Sequence, residues 1–290
     1  MYNFHSTGGY GEPPLPGGMD GRAARGEMKE LNAAGRYLSE AAGIVDKIAA
    51  TQVENIERAA QICASTIVGD GLVFCWGGGH SRMSVEEMFP RIGSFPGFYP
   101  MVELALTFYT NFVGADGMPQ SFFLERQEGY AEAILANYEF GPHDSMICFS
   151  STGINGLVIE MALRAKEKGL PVIAITSVAH ADSTPSRHSS GKKLKEVADV
   201  VIDNCTPPGD AVVSIPGLKY KVSPTSTVGA SAVVNALKAR TAELMMEKGV
   251  EPVVLTSPHF VQSEREAQEQ LERVYKEFKR RKRMIFGREP

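Results

Sequence analysis

Four short, mostly apolar runs are the feature that most restricts how this chain can fold. They are LVFCW at 72–76, SMICFS at 145–150, VIAIT at 172–176 and DVVID at 199–203. Such runs are typical of strands buried on both faces of a sheet. Because stretches with the apolar spacing of a helix separate them, the pattern predicts a parallel sheet with helices on both faces.

The rest of the chain is predicted to be helical, apart from its first residues. Helices are predicted at 31–65 (in one or two pieces), 81–89, 121–138, 156–168, 193–198 and 227–248, with a last helix from about Ser263. Residues 1–30 are rich in Gly and Pro and predict a flexible arm. We therefore expect one domain over 31–260 and a C-terminal helix within 261–290 that packs on the domain or on a partner subunit.

Composition excludes several classes of function. The net charge of −4 and the pI of about 5.9 argue against general nucleic-acid binding. No apolar stretch is long enough to span a bilayer, and there is no signal-peptide core, which predicts a soluble, cytoplasmic protein without a membrane partner. The four cysteines form no CxxC pair and are expected to be buried free thiols.

Polar loops follow the first two predicted strands, where parallel sheets bind their ligands. The first loop, GGGHS at 77–81, is not a dinucleotide loop, because Arg82 stands where a third glycine is needed. In addition, no acidic residue closes a neighbouring strand about 20 residues later. A Walker A loop is also absent, and no cofactor is expected. Gly78 and Gly79 instead predict a place where a ligand comes close to the backbone.

The second loop, SSTGIN at 150–155, fits a monophosphate. Ser150, Ser151 and Thr152 supply hydroxyl donors directly after a buried strand, and Asn155 adds an amide. The helix that follows has unpaired N–H groups and a dipole that favours an anion at this end. A single residue of this type would be an ordinary helix cap, but three in a row favour binding.

Together these motifs resemble those of the SIS (sugar isomerase) domain family. More closely, the chain is similar to a poorly characterised subgroup of that family. The shared features are a GxGHS loop followed by the Glu86–Glu87 pair, PSRHSSGK at 185–192, a strand ending in Asp-Asn with GDA at 209–211, and PTST at 224–227. The resemblance implies a doubly wound α/β/α sandwich with extra N- and C-terminal helices.

Family resemblance also implies a ligand. SIS proteins bind phosphorylated sugars, with the phosphate on the Ser/Thr loop, so Ser150, Ser151, Thr152 and Asn155 are assigned to the phosphate. Ser81 matches the serine that closes the first loop. Thr152 and Asn155 depart from the commonest Ser-x-Ser-Gly-x-Thr form, but their hydrogen-bonding groups are similar.

The resemblance implies a carboxylate base near the first loop. Sugar-phosphate isomerases and lyases usually remove a proton from the carbon beside a carbonyl, which suits a carboxylate or an imidazole of near-neutral pKa. Glu86 and Glu87 lie on the helix where related enzymes carry a catalytic glutamate, and we expect one of them to face the site, Glu87 being slightly favoured. His80 is a further candidate acid, base or anion partner.

The loop after the third predicted strand supplies other candidates. His188 is a second candidate catalytic histidine, and Arg187 could pair with a phosphate or sugar oxygen. Ser189 in the same loop and Thr225 before the long helix are added as binding residues. A weaker alternative is that His80, His188 and Asp210 hold a metal, although no recognised ligand spacing supports it, and none is assigned.

Two functions are consistent with these residues. The first is an enzyme that acts on a sugar 6-phosphate, with amino-sugar phosphates such as N-acetylglucosamine 6-phosphate as the leading class, by C2 proton abstraction that leads to isomerisation or β-elimination. The second is a phosphosugar sensor without turnover. The resemblance also implies a homo-oligomer, a dimer or larger, with sites near the interface.

Overall fold

A five-stranded parallel sheet forms the centre of the structure, a computed structural model that describes residues 32–89, 91–107, 117–261 and 263–282. Its strands are β1 Val73–Gly77, β2 Phe98–Met101, β3 Ser145–Ser150, β4 Val172–Thr176 and β5 Val200–Asp203, in the order β2-β1-β3-β4-β5. The predicted α/β architecture with a doubly wound parallel sheet is confirmed. The predicted arm at 1–30 lies outside the described residues.

Helices and one hairpin complete the described part of the chain. The helices are α1 Ala33–Thr51, α2 Val53–Val68, α3 Arg82–Glu87, α4 Leu104–Thr107, α5 Met118–Leu124, α6 Tyr130–Leu135, α7 Gly156–Glu167, α8 Val178–Ser183, α9 Leu194–Val197, α10 Ser226–Glu247 and α11 Glu264–Lys282. The strands β6 Ala211–Val213 and β7 Val222–Pro224 pair antiparallel. None of the described helices has both the length and the apolar character to cross a membrane.

The sheet separates two hydrophobic cores because alternate residues of each strand point to opposite faces. On one face Cys75, Ile147 and Ile175 pack with apolar residues of α1, α2, α3 and α10. On the other face Trp76 and Cys148 pack with apolar residues of α6, α7 and α9. Strands enclosed in this way need apolar residues at every position, which explains the continuous runs in the sequence.

Four local features differ from the sequence-based expectation. Strand β2 was not predicted, because FYPM is short, contains a proline and forms the sheet edge, where a missing N–H is tolerated. The helix predicted at 121–138 is divided into α5 and α6 by Gly129, whose φ is +86°. The loop expected at 177–192 contains α8, and the β6–β7 hairpin was also not predicted.

The C-terminal helix α11 packs on the end of α2 and the turn that leads into β1. Arg281 is buried, and its Nη1 donates to the carbonyl of Gly71 at 2.8 Å. Arg280 Nη1 donates to Asp70 Oδ2 at 2.8 Å. Two arginines near the end of the chain are therefore bound to the domain.

Helix α10 has a glycine where it passes the end of β5. A Cβ on Gly229 would lie 2.4 Å from the carbonyl oxygen of Asn204, which is backbone and cannot move away cheaply. We expect Gly229→Ala to lower the free energy of unfolding by about 1–3 kcal/mol, the usual cost of overpacking. Urea unfolding followed by circular dichroism measures the change.

The matched control is Gly43→Ala in helix α1, where a Cβ would meet no atom within 4 Å. Because alanine is the better residue in a helix interior, we expect a gain of about 0.5–1 kcal/mol. Equal effects of the two substitutions would contradict the packing described for α10.

Candidate functional site

A cavity of about 620 Å³ opens at the carboxyl edge of the sheet. The strand order makes this edge a switch point, because the chain leaves β1 towards β2 but leaves β3 towards β4. Helix α3 belongs to one face of the sheet and α7 to the other, so the loops that precede them separate and leave a crevice. Most of the predicted site residues line it: Gly78, Gly79, His80, Ser81, Ser150, Ser151, Thr152, Asn155 and Arg187.

The glycine loop allows a carboxylate to come close to the backbone. Residues Gly79–Ser81 form a single 3-10 turn, and Gly79 has a φ of +54° that favours glycine. A Cβ added to Gly78 or Gly79 would lie 3.2 Å from Glu125 Oε1. The absence of side chains therefore makes room for Glu125, a residue that was not among the predicted site residues.

Glu125 is held by a chain of hydrogen bonds that begins in the loop after β4. Arg187 Nη1 donates to Asn155 Oδ1 at 2.9 Å, and Asn155 Nδ2 donates to Glu125 Oε2 at 2.8 Å. The backbone of Glu125 is also anchored, since its carbonyl accepts from the N–H of Leu157 at 3.0 Å. One of the N–H groups at the α7 N-terminus, which were expected to bind an anion, therefore donates to the carbonyl of Glu125 instead.

The environment of Glu125 favours the protonated form. Burial raises the pKa of this carboxyl above its ordinary value and outweighs three opposing effects. Those effects are the hydrogen bond from Asn155 and the charges of Arg126 and Arg187, each of which lowers the pKa. A partly buried carboxylate with a raised pKa at the mouth of two ligand-type loops is suited to accept a proton.

The SSTGIN loop is shaped by its own hydrogen bonds. Ser150 Oγ accepts from the N–H of Gly153 at 3.0 Å, and Gly153 has a φ of +63°. The carbonyl of Ser151 accepts from the N–H of Ser177, and that of Ile154 accepts from the N–H of Arg187. The loop is therefore joined to the chain after β4, and Ser151 and Thr152 line the cavity.

Buried polar atoms without a partner lie close to this loop. Among the described residues, His180 Nδ1 and Thr176 Oγ1 are buried and accept or donate no hydrogen bond. His180 lies in α8, directly after β4, and lines the cavity together with Asn204, which follows β5. Because an unsatisfied buried group costs free energy, His180 is poised to bind a polar ligand atom or a water molecule.

The Glu86–Glu87 pair is not where it was expected. The two residues lie at the end of α3, because the helix starts at Arg82 and is only six residues long. Neither lines the cavity. The side chain of Glu86 is half exposed, and its Oε1 lies 3.9 Å from Arg82 Nε.

Glu87 is bound to other side chains instead. Its carboxylate accepts from Arg91 Nη1 at 2.7 Å and lies 3.6 Å from the Nζ of buried Lys238. Burial raises the pKa of Glu87, but hydrogen bonds from Arg91 and Asn235 and the Lys238 charge outweigh it, so the pKa is lowered. The expectation that one of the pair faces the site does not hold in this chain.

Three further predicted residues also lie outside the cavity lining. His188 Nδ1 is 2.7 Å from Ser190 Oγ, and Ser189 donates to Glu128 from both its N–H and its Oγ. Thr225 is buried, and its Oγ1 donates to the carbonyl of Asp210. These residues hold the walls of the site together.

Asp210 caps helix α10 from a distance in the sequence. Its Oδ1 accepts from the N–H groups of Thr225 and Ser226 at 2.8 and 2.7 Å, at the start of the helix. The alternative prediction was that Asp210, His80 and His188 together bind a metal ion. Within the part of the chain that the structure describes, no group of three such residues could hold a metal ion.

Sequence reasoning missed Glu125 and His180 for different reasons. Glu125 directly follows α5, which carries no motif, and it is held in the site by hydrogen bonds to Asn155 and Leu157 at the start of α7. His180 had a usable signal, since SVAHADST directly follows a buried strand whose carboxyl end was already expected to line the site.

The chain is similar to several known proteins. The SIS domain model matches residues 36–177. A UPF0309 protein from Caldanaerobacter subterraneus subsp. tengcongensis is 37% identical over 224 residues, which are 76% of this chain and 89% of the relative. A phosphoheptose isomerase from Francisella tularensis is 15% identical, with a TM-score of 0.45 over 71% of this chain and 95% of that chain. The Vibrio vulnificus NanR protein complexed with ManNAc-6P is 16% identical, with a TM-score of 0.47 over 85% of this chain and 70% of that chain.

The raised pKa of Glu125 predicts a pH-dependent effect on stability. A carboxyl whose folded pKa lies above its unfolded value, about 4.3 for glutamate, stabilises the fold below that value, and this contribution is lost as the pH rises through the folded pKa. Glu125→Gln removes the ionisation. We therefore expect the free energy of unfolding of Glu125→Gln, relative to wild type, to increase from pH 4 to pH 8 in urea titrations.

Glu86→Gln is the control, because Glu86 is exposed and outside the cavity. The difference in free energy of unfolding between Glu86→Gln and wild type should vary much less over the same pH range. A difference for Glu125→Gln that stays constant or decreases with pH would show that burial does not dominate at Glu125.

Proposed function

This chain belongs to the SIS domain family, and on that premise we propose that it is an enzyme that acts on a sugar 6-phosphate. Amino-sugar phosphates such as N-acetylglucosamine 6-phosphate are the leading substrate class. The proposed reaction begins with removal of the proton on C2 of the open-chain sugar. It continues to aldose–ketose isomerisation or to β-elimination.

The observation that carries the proposal is the placement and environment of Glu125. Its carboxylate lies between the two ligand-type loops, and burial raises its pKa towards the range in which a carboxylate works as a general base near neutral pH. The proposal therefore moves the base from the Glu86–Glu87 pair to Glu125. The lowered pKa and the three partners of Glu87 make that residue a weaker base.

The phosphate is proposed to bind at the SSTGIN loop. Ser151 and Thr152 offer hydroxyl donors, and α7 directs the positive end of its dipole to this side of the cavity. Arg126 and Arg187 line the same cavity and provide positive charge for a dianionic group. A phosphate held here leaves the sugar carbons to extend towards Glu125.

The two histidines of the cavity are proposed to stabilise the negative charge that forms after proton removal. His80 follows β1 and His180 follows β4, so they approach the cavity from different strands. His180 has a buried ring nitrogen that still requires a partner among the described residues. Either imidazole can hydrogen-bond to an enediolate oxygen, and such stabilisation is often the largest part of catalysis.

The next step distinguishes two product classes. If the sugar carries a hydroxyl on C2, that hydroxyl gives up its proton as another proton is added to C1, and the aldose becomes a ketose. An N-acylated amino sugar has no hydroxyl on C2, so that class follows the elimination route. If a leaving group on C3 departs with its bonding electrons, the product is unsaturated. Product spectra recorded by NMR identify the class directly.

Glu125→Gln tests the assignment of the base. We expect it to abolish exchange of the C2 proton with solvent deuterium, with a rate at least 10²-fold lower, because general-base catalysis contributes about 10²–10⁴-fold. Binding of the sugar phosphate, measured by isothermal titration calorimetry, should persist. Proton NMR of sugar 6-phosphates incubated in D₂O measures the exchange.

Glu86→Gln and Glu87→Gln are the matched controls, and both should keep exchange within a few-fold of wild type. Loss of exchange in Glu87→Gln but not in Glu125→Gln would return the base to α3. Binding without exchange or product in the wild-type chain would favour the phosphosugar sensor.

The phosphate position is tested with hydroxyl deletions. We expect the double variant Ser151→Ala with Thr152→Ala to weaken binding of glucose 6-phosphate about 10²- to 10⁴-fold, because each of the two lost hydrogen bonds to a charged group is worth about 1.5–3 kcal/mol. Ser189→Ala is the control, since Ser189 Oγ donates to Glu128 outside the cavity lining. Equal losses in the two variants would place the phosphate elsewhere.

A further inference from the structure

Helix α5 presents one continuous face to the cavity. Met118, Ser121 and Phe122, together with Glu125 at the end of the helix, all line it, and their spacing of i, i+3, i+4 and i+7 is that of one side of an α-helix. Phe123 is 62% exposed and does not line the cavity. Met118 and Phe122 make the first part of this face apolar, and the carboxylate of Glu125 lies at its end.

The apolar part of this face is open to the cavity. Met118 and Phe122 are 48% and 47% exposed, although both are large apolar side chains that line a ligand site. A phosphate or a sugar hydroxyl would gain little from contact with them, whereas an apolar group would remove their surface from water. The face therefore requires a substrate with a hydrophobic substituent near the carbon on which Glu125 acts.

We propose that Phe122 and Met118 bind an N-acyl group on C2 of the substrate, which makes the chain specific for N-acylated amino-sugar phosphates. This inference rests on the proposed function, because it takes C2 as the carbon beside Glu125. At a rise of about 1.5 Å per residue, Phe122 lies about 4.5 Å along the helix axis from Glu125 and Met118 about 10.5 Å. The group attached to C2 is thus the part of the sugar that reaches Phe122 first.

The distance to Met118 extends the inference to the length of the acyl chain. An acetyl group ends beside Phe122, but two turns of helix separate Glu125 from Met118, and the surface between them is apolar apart from Ser121. An acyl chain of four carbons extends past Phe122 towards Met118 and contacts more of this apolar surface. The site should therefore accept N-butanoyl at least as well as N-acetyl.

Isothermal titration calorimetry with three ligands tests the acyl site. The ligands are glucose 6-phosphate, N-acetylglucosamine 6-phosphate and N-butanoylglucosamine 6-phosphate, which share the phosphate and differ at C2. We expect wild-type affinity to increase in that order. Phe122→Ala should weaken binding of the two acylated ligands about tenfold, the effect of losing roughly 50 Å² of buried apolar surface, and should leave glucose 6-phosphate unchanged.

Two further variants complete the experiment. Phe122→Leu keeps an apolar side chain and should retain most of the acyl preference. Phe123→Ala removes a neighbouring phenylalanine from the other side of α5 and should change no affinity. Circular dichroism and the Tm of each variant show that the fold is intact, which is expected because both phenylalanines are largely exposed.

Several results would overturn the acyl site. Equal wild-type affinities for the three ligands would do so, as would an effect of Phe122→Ala on glucose 6-phosphate equal to that on the acylated sugars. Loss of a dimer in both Phe122→Ala and Phe123→Ala, measured by light scattering, would assign α5 to a contact between copies. If no ligand binds, the proposed function fails together with this inference, whereas binding without acyl preference leaves the proposed function standing.

Discussion

The hydrogen bond between Asn155 and Glu125 is the contact on which the arrangement of the cavity depends. Asn155 directly precedes α7, Glu125 directly follows α5, and Arg187 reaches Asn155 from the chain after β4. The Asn155 side chain thus connects three segments that are distant in the sequence. The hydrogen bond from the N–H of Leu157 to the carbonyl of Glu125 stabilises the same junction. Without this junction, nothing on α5 itself would direct a carboxylate between the glycine loop and the serine loop.

The balance of forces at Glu125 is the physical basis on which acid–base chemistry is proposed for this site. Burial alone would disfavour a charged carboxylate, and the arginines and Asn155 restore part of its stability, but burial has the larger effect. At Glu87 the same competition has the opposite result, because Arg91, Asn235 and Lys238 outweigh burial. The neighbours of these two glutamates, rather than their own chemistry, thus raise the pKa of Glu125 and lower the pKa of Glu87.

The sequence predicted those parts of the fold and site that depend on local patterns. The buried strands, the parallel sheet and the two loops could be predicted, because continuous apolar runs are typical of buried strands and clusters of glycine or serine are typical of ligand-binding loops. Strand β2 and the β6–β7 hairpin were not, since short edge segments carry little periodic signal. Glu125 could not be found from spacing, as its position follows from its hydrogen bonds to Asn155 and Leu157, and Asp210 caps α10 across a hairpin. The homo-oligomer implied by the family resemblance stays a prediction.

A crystal structure with N-acetylglucosamine 6-phosphate bound to Glu125→Gln tests the account most directly, since that variant should bind without turnover. The account predicts phosphate oxygens within hydrogen-bond distance of Ser151 and Thr152, C2 beside the substituted Glu125 side chain, and the acetyl group against Phe122. A phosphate bound against the β6–β7 hairpin, or C2 directed towards α3 and away from position 125, would contradict it.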